Sequence, residues 1–537
     1  MRRLGFVLVA AASAALVFAP PAGATGRGGW DHVGVGSTAT TPSLQSGSSV
    51  SALNTDHPGV MYVGGNFTSA GGHQNAQRIA RWNGTSWSAL GTTPITNGAV
   101  YAIAYDIDSG RVFAGGTFLN AGGHANADFL AVWDGSNWAP FCTSTQPGPA
   151  FGGSVAALQI IGNTLYVGGA FQNGAAIPAA DYLLACDLTT GASSSTVSTD
   201  GDFTGAVYAL TADSNGTLYA GGGFINLDQN LAADHVAAYD GVWHSMGIDS
   251  SVNSFVRSLT AVGTDVYVGT DSVNVAGIAQ ADHVVKWKGS AWSAVGANKA
   301  TTDGWFPATS FIYALTSYGS ILVATGSFLN ADGIATADHI AYFDGTRWRP
   351  VGSDGAGNGP FVGNGLALGV FGGQVYLGGS FTSAGGDSLS KSIASYALRL
   401  PDASIAATSG GNYVGHNVYS STGAGEVRHV TVTRGNSTTS YVKLQNDGLV
   451  AASLKVTGNG NASGISAHYY QGATNVTAGV LAGTFTTASI LPRAHIVLRV
   501  VVTVANSSAS SATIVTTARS QVGVPPDAVR IAVSATG

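Results

Sequence analysis

The sequence predicts an all-β protein, a seven-bladed β-propeller followed by an Ig-like antiparallel β-sandwich. Three observations predict it. A strand-rich phrase recurs seven times between residues 50 and 400 with a period near 50, which is one four-stranded blade per repeat. The seventh copy lacks its closing tryptophan after Tyr396, and Trp30-Asp31-His32-Val33-Gly34 supplies a match to Trp292-Ser293-Ala294-Val295-Gly296. From Pro401 the phrase disappears and short alternating runs take its place.

Each repeat divides into four strands. The first is written Val100-Tyr101-Ala102-Ile103, Val207-Tyr208-Ala209-Leu210 or Ile312-Tyr313-Ala314-Leu315. The second ends in Gly-Gly-x-Phe, as in Val63-Gly64-Gly65-Asn66-Phe67, and the Phe returns at Phe118, Phe171, Phe224, Phe328 and Phe381, with Val273 in its place once. The third carries Ile79-Ala80-Arg81-Trp82 and its relatives, and the fourth opens on Trp87, Trp138, Trp243, Trp292 or Trp348. Asn83-Gly84, Asp134-Gly135, Asp240-Gly241 and Asp344-Gly345 stand between strands three and four, where a two-residue hairpin needs positive φ. If Trp30 to Gly34 forms the missing strand of the last blade, the ring closes and leaves no open sheet edge. Residues 401–537 contain alternating runs such as Tyr441 to Gln445, Ala452 to Val456, Ile496 to Val504 and Val529 to Val533, the pattern of a sandwich.

The first residues read as an export signal. Arg2 and Arg3 precede an apolar run from Leu4 to Phe18, and Ala22-Gly23-Ala24 marks cleavage after Ala24. The expected organisation is therefore a signal peptide at 1–24, a propeller at 25–400 and a sandwich at 401–537. No later stretch is long and apolar enough for a membrane span, so the mature chain is expected to have none. Charged residues are only 9% of the 537, the net charge is −6 and no basic run occurs, which excludes nucleic acid as a partner. The two cysteines, Cys142 and Cys186, could pair in an exported chain but cannot build a disulfide framework.

The repeat resembles the Gly-Gly-x-Phe/Asp-Gly-x-x-Trp propeller repeats of bacterial exported proteins. It is also similar to those of fungal cortical polarity-marker proteins and, more distantly, to kelch and galactose-oxidase propellers. The tail looks like an accessory module of bacterial exported proteins, through Pro401-Asp402-Ala403, Tyr413-Val414-Gly415, Val442 to Gly448, Gly483 to Thr487, Leu491-Pro492 and Asp527-Ala528-Val529, with Arg493 where that family often has Gly. These resemblances imply a location at the envelope or outside the cell and imply no reaction.

Candidate sites are few. Asp recurs before strand three at Asp128, Asp181, Asp234, Asp282 and Asp338, with His following at His235, His283 and His339. A ring of such groups could hold a cation; the competing reading is that each Asp caps the turn it enters. Trp305, Phe306 and Phe311 lie in a long segment outside the repeat and are expected to be exposed as a ligand-binding anchor at the rim, beside the glycine-rich stretch from Gly352 to Gly365. No Gly-x-Ser-x-Gly or His-Glu-x-x-His motif occurs, and Glu426 is the only glutamate, so no paired-Glu glycosidase can exist. The Cys and Tyr arrangement of a copper-radical oxidase is missing.

The reading is an exported, monomeric, non-enzymatic binding or scaffold protein without a cofactor, recognising an extracellular protein or glycan. A carbohydrate-active enzyme or oxidase with its site in the propeller funnel, and a structural cell-wall component, are the alternatives.

Overall fold

The computed structural model describes residues 29–536 except 46, 143–149, 196, 198–202, 228–231, 248–251, 417, 463, 507–510, 521–523 and 525. The signal segment expected at 1–24 lies outside the described residues. No helix among the described residues is long and apolar enough to cross a membrane. The strands form eight four-stranded sheets and one larger sheet.

Seven of the four-stranded sheets follow the repeat. The first comprises Val50–Asn54, Met61–Gly65, Ile79–Trp82 and Trp87–Ser88, paired antiparallel in that order. Sheets four, five and six open on Val207–Ala212, Val256–Val262 and Ile312–Tyr318. The seventh takes Gly365–Phe371, Gln374–Gly379 and Ile393–Ala397 from one end of the repeat and Trp30–His32 from the other, with Trp30 opposite Tyr396 and His32 opposite Ala394. The opening strands of successive sheets lie beside one another in chain order, and that of the seventh lies beside that of the first.

Close packing explains the Gly-Gly motif. A Cβ on the first glycine, at Gly64, Gly115, Gly168, Gly221, Gly269 or Gly378, would overlap the first apolar side chain of the next sheet, respectively Val100, Val155, Val207, Val256, Ile312 and Val50. The last of these contacts joins sheet seven to sheet one. In sheet six Thr325 occupies the glycine position, and the next sheet answers with Gly365, whose Cβ would strike the Thr325 hydroxyl. Fourth-strand tryptophans other than Trp138 tie sheets together through their ring N–H groups. Trp87 donates to the Val33 carbonyl at 2.8 Å, Trp243 to Val197 at 2.9 Å, Trp348 to Val295 at 2.5 Å and Trp30 to Val351 at 3.2 Å. Trp30 therefore makes in sheet seven the bond that the others make in theirs.

Cys142 and Cys186 form a disulfide, with Cα atoms 5.6 Å apart. Cys142 follows the fourth strand of sheet two, and Cys186 lies in Leu183–Asp187, the third strand of sheet three. Both are fully buried. The 44-residue separation closes a long loop in the unfolded chain. The Cys142→Ser/Cys186→Ser variant is expected to lose roughly 3–4 kcal/mol. A chemical-denaturation midpoint equal to the wild type's would show that the bridge constrains nothing.

Beyond Pro401 two sheets enclose one apolar core. The larger orders Pro401–Ala406, Ser437–Asn446, His495–Val504, Ile465–Gln471 and Asn461–Ala462, with Thr474–Asn475 added on Ile465–Gln471. The smaller orders Val427–Thr433, Asp527–Thr536, Ser511–Arg519 and Lys455–Gly458. Val442, Leu444, Val456, Leu498, Val500 and Ile531 fill the space between them. The expectation of a wholly antiparallel arrangement needs one correction. Val427–Thr433 and Asp527–Thr536 run parallel, because the chain leaves the first of them for the other sheet and returns to its side only at its last strand. This unit sits on sheet seven. Leu398, Leu400, Leu449 and Val524 share a core with Trp30 and Tyr396, and the Tyr396 hydroxyl donates to the Asp447 carbonyl at 3.0 Å.

Candidate ligand-binding site

The opening strand of every repeat sheet carries a bulge at its second residue, where the register shifts by one. A bulge leaves one residue unpaired and turns its side chain out of the ladder. The bulged residues are Ser51, Tyr101, Ala156, Tyr208, Arg257, Tyr313 and Leu366, so this position varies where the surrounding core does not. In sheets four, five and six it is occupied by Tyr208, Arg257 and Tyr313, and in the latter two sheets an aromatic precedes the strand, Phe255 and Phe311.

These five side chains make one row across three sheets. The Tyr208 and Phe255 rings meet edge to face at 6.3 Å. The guanidinium carbon of Arg257 lies 5.7 Å from the Phe255 ring, 5.6 Å from the Phe311 ring and 6.0 Å from the Tyr313 ring. Phe311 and Tyr313 stack at 6.5 Å. Tyr208 is 40% exposed, Phe255 43% and Phe311 40%. Arg257 is fixed from behind by Asp271, with Nε to Oδ1 at 3.0 Å and Nη2 to Oδ2 at 2.8 Å. That pairing, more than partial burial opposes it, holds the guanidinium above its usual range. The rings stand on strand ends and are anchored there. Gly223 has no side chain because the Phe255 ring lies across it, and the Phe311 N–H donates to the Ser327 hydroxyl at 3.0 Å.

Of the three aromatics expected at the rim, only Phe311 belongs to this surface. Trp305 and Phe306 are each 4% exposed, which corrects the expectation of an exposed anchor. The segment that carries them folds inward over sheet six. Phe306 packs at 4.9 Å on both Phe328 and Trp348, and Trp305 stacks on Trp348 at 6.1 Å. They fill a hollow that other sheets fill likewise: Phe203 packs on Phe224 and Trp243, Phe151 on Phe171, and Phe361 on Phe381. An aromatic four to six residues ahead of an opening strand is thus a core position, and its recurrence was the available signal. The glycine-rich loop walls a groove of about 520 Å³ with Leu329, Asp338 and His339, one sheet away.

The Asp ring serves the turns. An oxygen of Asp128, Asp181, Asp234, Asp282 and Asp338 accepts the backbone N–H of the asparagine eight residues before it, Asn120, Asn173, Asn226, Asn274 and Asn330, at 2.5–2.7 Å. Those asparagines all have left-handed backbone. Each Asp therefore caps a turn inside its own sheet through Oδ1, as the turn-capping reading expects. His235, His283 and His339 occupy the next position, with φ near 60°, and the latter two rest their Nδ1 on the backbone oxygens of Thr270 and Gly326.

Among the described residues, three ligand atoms come within 4.8 Å of one another at Asp31, His32 and Asp387 and at Asp402, His416 and Asp447. These groups have the donors to hold a metal. In the first, His32 Nδ1 meets Asp387 Oδ2 at 2.8 Å, a bond that raises the imidazole pKa and, against the effect of burial, lowers that of Asp387, while burial raises Asp31 to about 6. In the second, His416 Nδ1 meets Asp402 Oδ2 at 2.6 Å, and Tyr419 and Gln445 donate to Asp447.

No family model and no curated protein matches the chain. Among solved structures, the secreted serine protease VesC from Vibrio cholerae is similar at 13% identity over 20% of this chain and 21% of that one, with a TM-score of 0.15. Escherichia coli alpha-2-macroglobulin activated by porcine elastase is similar at 8% identity over 89% of this chain and 35% of that one, with a TM-score of 0.16. Likenesses of this size carry nothing about fold or function, and the chain spans about a fifth and a third of the two proteins' lengths.

Proposed function

We propose that this is an exported, non-enzymatic binding protein. In this reading the seven sheets are the blades of a closed propeller, the C-terminal unit is an Ig-like sandwich, and an extracellular ligand docks on the Tyr208–Phe255–Arg257–Phe311 row. Resemblance of the repeat to exported propellers supports the location. The observation that carries the binding role is that one structural position, the bulge, points outward in every sheet and bears an aromatic or arginine in three consecutive ones. Repeated positions serve the core, so ligand contacts should fall where the repeat varies. Exposed rings held on rigid strand ends lose little side-chain freedom on binding.

The test is retention of the purified full-length protein on cell-envelope material from its own source, compared with a Tyr208→Ala/Phe311→Ala variant. Wild-type retention weakened about tenfold or more in the variant is expected. Equal retention of both would place binding elsewhere.

A further inference from the structure

We infer that the ligand of the bulge row is an uncharged polysaccharide, whose sugar rings lie on Phe255, Phe311 and Tyr208 while neighbouring hydroxyls bond the Arg257–Asp271 pair. The inference rests on the binding role proposed above and adds the ligand's chemical class.

Charge is the first consideration. Arg257 stands among the rings, but its charge is cancelled by a two-point pairing with Asp271, which is 7% exposed. A partner rich in carboxylate or phosphate would have to break that pairing, leaving the buried Asp271 unpaired at high cost. An acidic ligand is therefore disfavoured, and the other basic group at the row, His235 at 6.1 Å from the Phe255 ring, is kept neutral by burial, which lowers its pKa. A basic ligand meets the guanidinium first.

Donor geometry is the second. Asp271 uses Nε and Nη2 of Arg257, and Nη1 makes no hydrogen bond among the described residues. The free Nη1 has two N–H groups, and Asp271 Oδ1 takes only one of the guanidinium bonds. Those two N–H groups lie on the side of the guanidinium away from Asp271 and suit neighbouring hydroxyls as acceptors. Neutral hydroxyls can join this pair without displacing either member.

The rings are the third. Tyr208, Phe255 and Phe311 are each about two fifths exposed, and the Arg257 guanidinium lies between Phe255 and Phe311. A protein partner buries a contiguous apolar centre within a polar rim. A sugar chain presents apolar C–H faces broken at short intervals by hydroxyls, which matches rings broken by Arg257. The T-shaped contact of Tyr208 with Phe255 and the stacked contact of Phe311 with Tyr313 tilt the row, so successive sugars would meet rings of different inclination.

The experiment is affinity electrophoresis of the full-length protein in gels containing hydroxyethylcellulose, soluble mannan or soluble xylan, and carboxymethylcellulose as the charged counterpart. The expected result is retardation by at least one neutral polymer. The Tyr208→Ala/Phe311→Ala variant should weaken that retardation about tenfold, and Arg257→Lys, which keeps the charge but loses the fork, should weaken it too. Circular dichroism melts of both variants check that they are folded. Retardation by carboxymethylcellulose alone, or by no neutral polymer, overturns the inference. If envelope retention still depends on Tyr208 and Phe311 in that case, the binding site stands and its ligand is of another class. If neither assay responds to the variants, both readings fall.

Discussion

Glu426→Gln is expected to stabilise the C-terminal unit above pH 8 and to leave it nearly unchanged at pH 5. Glu426 is fully buried, and neither carboxyl oxygen has a hydrogen-bond donor. Its carboxyl lies beside those of Asp527 and Asp402. Asp527 has what Glu426 lacks: the N–H groups of Ala403, Ser420 and Ala528 donate to it at 2.6, 2.7 and 3.0 Å. Asp527 is the member better able to carry charge, so Glu426 is the one that keeps its proton to the higher pH. Burial first, then the two neighbouring carboxylates, push its pKa far upward, and burial does the same to Asp527.

The sign follows from proton linkage. A carboxyl whose pKa is higher folded than unfolded binds more protons when folded. Its contribution is fully present below the ordinary glutamate value near 4.3 and is lost as pH rises toward the folded value, at up to about 1.4 kcal/mol per pH unit. His416, raised by its bond to Asp402, works in the same direction. Glutamine supplies a permanent N–H donor with no proton to lose. Melting temperatures at pH 5, 7 and 9 should therefore fall for the wild type and fall less steeply for Glu426→Gln, which keeps only the dependence due to Asp527 and His416. Parallel curves for the two proteins would show that Glu426 holds no proton of consequence.

The second large effect is expected from Trp30→Ala. Trp30 is 1% exposed, packs at 5.3 Å on Tyr396 and 6.4 Å on Phe361, and ties Val351 through its ring N–H. Truncating a buried tryptophan costs about 3–5 kcal/mol. Here the cost falls on a three-residue strand that nothing else in its own neighbourhood of sequence can replace. The denaturation midpoint should drop, and amides of Ile393–Ala397 should lose protection from hydrogen exchange before those of sheet four. Unchanged exchange in that strand would mean that Trp30–His32 does not secure sheet seven.

The repeat was legible because its residues answer to local packing. Gly64 and Gly115 are glycine for a contact that recurs in six of the seven repeat sheets, and Trp30 could be matched to Trp292 because it fills the same place. Trp305 and Phe306 were misread because a long irregular segment has no period from which to infer burial, although the comparable Phe203 and Phe361 carried the clue. The bulge row stayed hidden for another reason. Tyr208, Arg257 and Phe311 lie about fifty residues apart, in three different repeats, and only the lateral packing of the sheets brings them together. Glu426 gave no sign of its surroundings, since a single carboxylate in a loop is ordinarily solvated.

The placing of Trp30–His32 in the last sheet also sets an order of events during synthesis. The strand leaves the ribosome early, yet its partner Ile393–Ala397 emerges more than three hundred and fifty residues later. At ordinary elongation speeds it waits roughly 20–70 s. Throughout that interval a short strand headed by a tryptophan is without its place, while six sheets can already assemble behind it. The last repeat sheet is thus completed where an early strand meets one made long after it, and any nascent chain released before Ile393 is left with Trp30–His32 unplaced.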